Sequence, residues 1–292
     1  MASKASRKVH QFDNESGLVL DIGIVGAGIA GLTTAATLTR LGHNIYERSR
    51  FSNEVGAAVH VGPNAAPVLE ALGFDSKRAR FLEAQEGVQF NAVTLEEVYR
   101  GNFEDFESRF DAPLYFSHRV DLHNELRRLA LEPPSEELAG ATLYLSSPVA
   151  GIDCENGVLT LENGRRFQKD LIIGADGIHS VVARCLLDTD ILTGVVNECA
   201  YRFLIPTSKL LDNPMTRPLF REDKITSHIA ATPDRRLVWY PCRGGEIQNF
   251  VGLHPTKPEC DIQEDWHATG SIGDLVDTFS TFHPMLVEVC RY

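Results

Sequence analysis

The first regular pattern in the chain is an apolar run around Ile22, Ile24 and Val25 that shows no alternation, as in a strand buried on both faces. Glycines break the run. Apolar positions at helical spacing follow and predict a helix from about Gly28 to Leu41, and Ile45–Tyr46 predicts a short second strand. A helix entry at Pro63-Asn64 leads through Val68, Leu69 and Leu72 to a stop at Gly73. Val88–Phe90 and Val93–Tyr99 alternate as strands. Leu122, Leu126 and Leu129 form the stripe of an amphipathic helix that Asp121 is placed to cap. Three more strands are predicted at Ala141–Leu145, Gly157–Leu161 and Leu171–Ile173, with an Asn163-Gly164 hairpin turn between the second and third. The third runs into GADGIHSVVARCLL, a strand, a tight turn and a helix. Beyond Asp188 the pattern is β-rich, with strands at Cys199–Ile205, Thr226–Ala231, Leu237–Tyr240 and Gln248–Leu253, before helices near Ile272–Phe279 and Pro284–Val289. Strands alternating with helices, then a block of strands, predict an α/β fold with an added β-rich part.

The chain has 292 residues, 43% apolar and 23% charged, which suits one large domain or two interleaved ones. A net charge of −12 argues against a nucleic-acid partner, since phosphate binding needs a basic face. Six scattered cysteines lack metal-ligand spacing, so they read as reduced thiols and predict no metal site. The N-terminus, MASKASRKVHQ, has no apolar core of a secretory signal, and residues 1–17 are expected to be disordered. The long apolar run Leu18 to Leu38 carries Asp21 and functional glycines, so no membrane span is expected and the protein is read as cytoplasmic.

Candidate chemistry concentrates first at Gly26, Ala27, Gly28 and Gly31, where G-x-G-x-x-G stands between a buried strand and a helix. Gly26 permits the turn, Gly28 admits a pyrophosphate, Gly31 lets the helix pack on the strand, and the helix N-terminus offers N–H groups to the anion. Glu47, at the end of the second strand, is placed to accept from a ribose diol. The unit is short: Glu47 lies sixteen positions past Gly31, against about twenty from motif to acid in such units. A second position of interest is Asp176-Gly177, where the aspartate ends a strand and either meets a ligand or caps the next helix.

With these residues in hand, the chain resembles the FAD-dependent aromatic hydroxylases, the group A flavoprotein monooxygenases, and within them the salicylate hydroxylase-like enzymes. The carriers are GAGIAG (Gly26–Gly31), YERS (Tyr46–Ser49), GAAVHVGPNA (Gly56–Ala65), HRVDLHNEL (His118–Leu126) and GADGIHSVVA (Gly174–Ala183). Weaker ones are YRFLIP (Tyr201–Pro206), VWYP (Val238–Pro241) and the FHP at Phe282–Pro284. The resemblance implies a Rossmann-like FAD-binding domain formed by 18–85, 115–188 and 263–292, with an interleaved β-rich substrate domain formed by 86–114 and 189–262. It implies FAD as cofactor, NADH or NADPH as co-substrate, and O2 with an aromatic small molecule as reactants, hydroxylated through a C4a-hydroperoxyflavin. By the same resemblance Glu47 holds the adenosine ribose, Arg48 and Arg119 contact the cofactor, and Gly56 and Ala58 lie along it. Asp176, with Gly177, would stand at the pyrophosphate and the NAD(P)H path. Arg202 and Tyr240 are the candidates for stabilising a substrate phenolate or carboxylate, and His60, His228 and His254 are alternative acid/base groups.

The family pattern continues with Gly-Asp-Ala-Ala-His, whose aspartate binds the flavin ribitol, and this sequence ends at Tyr292 before it. A truncated, inactive flavoprotein-like fragment is therefore the competing expectation. A flavin epoxidase of isoprenoid chains is the neighbouring enzyme class. A plain NAD-dependent oxidoreductase is a third alternative, against which the Asp176-Gly177 motif speaks.

Overall fold

The computed structural model describes residues 20–38, 43–51, 56–132, 139–187, 197–221, 223–256 and 269–292. They form two compact units, each assembled from discontinuous segments.

The first unit takes Met1–Asn53, Val68–Phe74 and His123–Leu192. Its centre is a parallel sheet in the order Leu171–Gly174, Ile22–Val25, Asn44–Tyr46, Thr142–Tyr144. The Ile22–Val25 strand is buried throughout, as its unbroken apolar run requires. Helix Ile29–Thr37 provides the crossover between the first two strands, and residues 39–41 of the expected helix lie outside the described residues. The second strand spans only three residues, Asn44–Tyr46. An antiparallel sheet of Val149–Asp153, Val158–Leu161 and Arg166–Gln168 adds Val149, Leu159 and Leu161 to a core shared with Val25 and Tyr46. The hairpin at Asn163-Gly164 therefore joins 158–161 to 166–168, not to 171–173 as the spacing suggested. The 166–168 strand, Arg-Phe-Gln, shows a single apolar residue, too short a signal to read.

The second unit takes Glu54–Pro67, Asp75–Leu122 and Thr193–Tyr292. Its main sheet has six strands in the order Glu198–Pro206, Ile247–Pro255, Arg236–Cys242, Thr226–Ala231, Glu86–Asn91, Glu97–Asn102. All neighbours are antiparallel except Thr226–Ala231 with Glu86–Asn91. A small sheet pairs Ala58–Val61 and Leu82–Glu83 with Tyr115–His118 between them. Alternation gives the large sheet two distinct faces. One carries Trp239, Phe250, Leu237 and Ile205 and is closed by Phe279, Phe282, Leu286 and Val289 from helices Ile272–Thr278 and Pro284–Val289. The resemblance assigned 263–292 to the FAD-binding domain, yet the described part, 269–292, packs on this sheet. Its apolar residues match an uncovered sheet face, a match that local pattern does not reveal. The other face carries Tyr240, Val238 and Asn249. No helix among the described residues is long and apolar enough to cross a membrane.

Candidate active site

In the parallel-sheet unit the glycine turn is built by contacts that exclude side chains. Gly26 has φ +97°, and a Cβ there would stand 2.4 Å from the Ala175 carbonyl oxygen and 2.9 Å from Asp176 Cα. A Cβ on Gly31 would lie 2.0 Å from the Gly26 oxygen, so the helix rests directly on the turn. Gly28 differs. It is the N-cap of Ile29–Thr37, and among the described residues no side chain caps the helix and nothing lies within 4 Å of the position its Cβ would take. An uncapped helix N-terminus beside open space is what a phosphate needs, so these residues fit the pyrophosphate of a dinucleotide.

Glu47, 9% exposed, accepts from the Ala27 N–H at 2.7 Å through Oε2 and from the Ser49 N–H at 2.7 Å through Oε1. Each oxygen keeps a further lone pair for a ribose hydroxyl. The shortened second strand thus still delivers the acid to the turn. The carbonyl of Ala27 is held by a residue the sequence did not single out. His123 is buried, donates from Nε2 to the Ala27 carbonyl at 2.8 Å and meets Phe51 edge-on at 4.8 Å. Its signal was its place in HRVDLHNEL, four residues past Arg119 on helix Arg119–Leu131. Arg48 is exposed beyond the strand end.

Asp176 caps a helix. Its Oδ2 accepts from the N–H of Val181 at 2.7 Å and of Val182 at 3.2 Å, and its Oδ1 from the Ser180 hydroxyl at 2.5 Å, at the start of Val181–Leu187. The capping alternative for this aspartate is therefore present in the fold. Gly177, at φ +81°, makes the turn that puts the carboxylate there. The backbone of Ala175 and Asp176 abuts Gly26, so both glycine motifs meet within one unit.

In the β-rich unit, three successive residues are each held from a different direction. A Cβ on Gly56 would stand 2.1 Å from His118 Cε1; the Ala57 carbonyl accepts from the Arg119 N–H at 3.0 Å; and the Ala58 N–H donates to Asn249 Oδ1 at 3.0 Å. Arg119 opens its helix, so Asp121 lies in the first turn instead of at the cap. It forms a two-pronged ion pair with Arg243 at 2.9 and 3.0 Å. Arg80 continues this network, bonding the Arg243 carbonyl at 2.7 Å and Glu246 at 2.6 Å. His118 is buried with Nδ1 unpartnered among the described residues, and burial, then the Arg243 charge, pulls its pKa below the usual imidazole value.

Tyr240 and Arg202 share a sheet face. Tyr240 lies opposite Asn249, which lies opposite Leu204, and Arg202 stands two residues from Leu204 on the same strand. Tyr240 is 5% exposed, and burial raises its phenol to about 12, with Cys242 adding to the rise and the Arg202 charge opposing it. Of the three histidine candidates the fold brings only His60 to this tyrosine, with ring centroids 4.3 Å apart and Phe116 4.9 Å from the imidazole. Burial lowers the His60 pKa. His228 stacks on Trp239 at 4.7 Å and His254 on Tyr201 at 5.0 Å, both on the helix-covered face, opposite Tyr240. Neighbouring strand positions alternate faces, and register decides which face each histidine takes.

A glycine turn for a dinucleotide, an aspartate-glycine turn against it and a separate β-rich unit define a flavoprotein-type fold. Its relatives are FAD-dependent monooxygenases and hydroxylases. The chain is 35% identical over 279 residues to the FAD-dependent monooxygenase cfoG of Aspergillus candidus, covering 92% of this chain and 64% of that protein. It is 32% identical over 280 residues to hispidin-3-hydroxylase of Neonothopanus nambi (91% and 65%) and 30% identical over 268 residues to 3-hydroxybenzoate 6-hydroxylase of Klebsiella oxytoca (89% and 63%). Among solved structures, CtdE in complex with FAD and a substrate aligns with a TM-score of 0.76 at 18% identity, over 93% of this chain and 64% of that one. Klebsiella pneumoniae HpxO with FAD and uric acid aligns at 0.71 and 18%, over 92% and 64%. No protein-family model matches. The chain is a homologue of the FAD-dependent monooxygenases of aromatic-hydroxylase type, and it spans just under two thirds of the length of these relatives.

Proposed function

We propose that the protein is an FAD- and NAD(P)H-dependent monooxygenase that hydroxylates a phenolic small molecule, salicylate-like or polyketide-derived. The observation that carries the reading is the uncapped, open helix N-terminus at Gly28, with Glu47 tied to the adjoining turn. Bound FAD, reduced by the nicotinamide, supplies the oxygen-activating chemistry. The chain's own contribution is binding and charge control. Gly26, Ala27, Gly28 and Gly31 would receive the pyrophosphate, Glu47 the ribose diol, and the backbone from Gly56 to Ala58 would line the cofactor, with Arg48 and Arg119 as cationic contacts. Asp176 and Gly177 would act there through the turn they form against Gly26. On the substrate side, Arg202 supplies a cation for a phenolate or carboxylate. Tyr240, whose pKa burial raises to about 12, stays protonated well above neutral pH and serves as a hydrogen-bond donor. His60, held neutral by burial, offers an acceptor beside it.

The test is a visible absorption spectrum of the purified protein after FAD loading and desalting. Retained bands near ~370 and ~450 nm are expected of bound oxidised flavin. NAD(P)H oxidation and product analysis with salicylates, resorcinols and olefinic isoprenoids then distinguish a hydroxylase from an epoxidase. A folded, colourless protein that takes up no FAD overturns the proposal.

A further inference from the structure

We propose that Asn249 is a positioning residue, whose side chain sets the backbone of residues 56–58 against the ligand and in register with Tyr240. This rests on the reading above that the 56–58 segment lines the cofactor. Ala58–Val61 is an edge strand, paired on one side only with Tyr115–His118. The outward N–H of Ala58 therefore has no neighbouring strand among the described residues to bond, and a buried backbone N–H needs a partner. Asn249 Oδ1 takes that place at 3.0 Å, from 191 residues away in sequence. Asn249 is fully buried and stands opposite Tyr240 in the sheet. One side chain thus ties the start of the strand to the row that carries the phenol.

The two ends of the amide behave differently. Oδ1 is engaged, whereas Nδ2 is sealed from water and has no partner among the described residues. A fully buried amide with its donor unsatisfied is uncommon and calls for a reason, and the bond to Ala58 provides one: the acceptor is what the site uses. His118 and Arg119 hold Gly56 and Ala57 from the other side. Asn249 thereby completes a three-residue clamp with no slack between successive peptides.

The asymmetry gives a discriminating pair of substitutions. Asn249→Asp keeps an acceptor for Ala58 in either protonation state, while Asn249→Leu keeps the branched shape and loses the acceptor. We would measure amide hydrogen exchange at Ala58 in the FAD-free protein, FAD affinity by quenching of flavin fluorescence, and thermal melting. The expected result is protection of the Ala58 amide in the wild type. Asn249→Leu should exchange at Ala58 and lose FAD affinity by about tenfold or more, the scale of one hydrogen bond, with Asn249→Asp restoring both to within about threefold. Wild-type FAD affinity in Asn249→Leu, or an Asn249→Asp protein as impaired as Asn249→Leu, overturns the proposal. So does an unprotected Ala58 in the wild type, a reading that needs no variant to fold. A wild type that takes up no FAD defeats the monooxygenase reading separately, and the exchange comparison then still decides whether Asn249 holds the strand.

Discussion

Tyr240 and Tyr46 are both buried, and burial raises each phenol to about 12. The folded state therefore retains two protons that the unfolded chain gives up near pH 10. By linkage, the stability these groups contribute is complete below about pH 10 and is lost as the pH rises from ~10 to ~12. In a spectrophotometric titration Tyr46 and Tyr240 are expected to ionise late and to be released on unfolding. Ionisation of both near pH 10 would contradict the burial. Asp176 shows the same dependence on surroundings. Its carboxylate accepts from Ser180, Val181 and Val182, so Asp176→Ala should lower stability by about 1 kcal/mol, as loss of a helix cap does, read as a shift in urea midpoint. A ligand contact alone would leave the FAD-free midpoint unchanged.

The strand, turn and helix from Ile22 to Thr37 separate two roles for glycine. At Gly31 a side chain meets the Gly26 carbonyl at 2.0 Å, whereas at Gly28 it meets nothing and φ is an ordinary −72°. Gly31→Ala is therefore expected to lower Tm by about 5 °C or more through overpacking. Gly28→Ala should lower it by only about 1–2 °C while weakening FAD uptake strongly, because the methyl occupies the space a phosphate needs. Equal effects of both on Tm would show that Gly28 is a packing residue. The Ala27 peptide is held between Glu47 and His123, which explains how a second strand of three residues still serves the turn.

Across the whole molecule, three histidines from both units, His43, His60 and His118, have pKa values lowered from 6.5, each mainly by burial. Below pH 6.5 the unfolded chain binds protons that these groups refuse in the folded state, so stability is complete above 6.5 and falls as the pH drops through the depressed values. Urea midpoints should be level between pH 7 and 8 and decline between 6.5 and 5; a flat profile across that window contradicts it. The sequence by itself determined the buried first strand, the glycine turn, the acid at its end, the helix with Leu122 and Leu126, and the strands of the β-rich part. Each is specified by spacing within some twenty residues, where periodicity and turn chemistry act directly. Tertiary structure decided the rest. His123 reaches Ala27 across 96 positions and Asn249 reaches Ala58 across 191, and nothing local encodes such pairs. The face that separates Tyr240 from His228 follows from alternation along each strand, but what covers each face depends on which strands and helices become neighbours. The C-terminal helices found their place by matching an apolar sheet face formed from residues 90 to 250. Periodicity marks a surface as apolar; only folding chooses the surface that covers it.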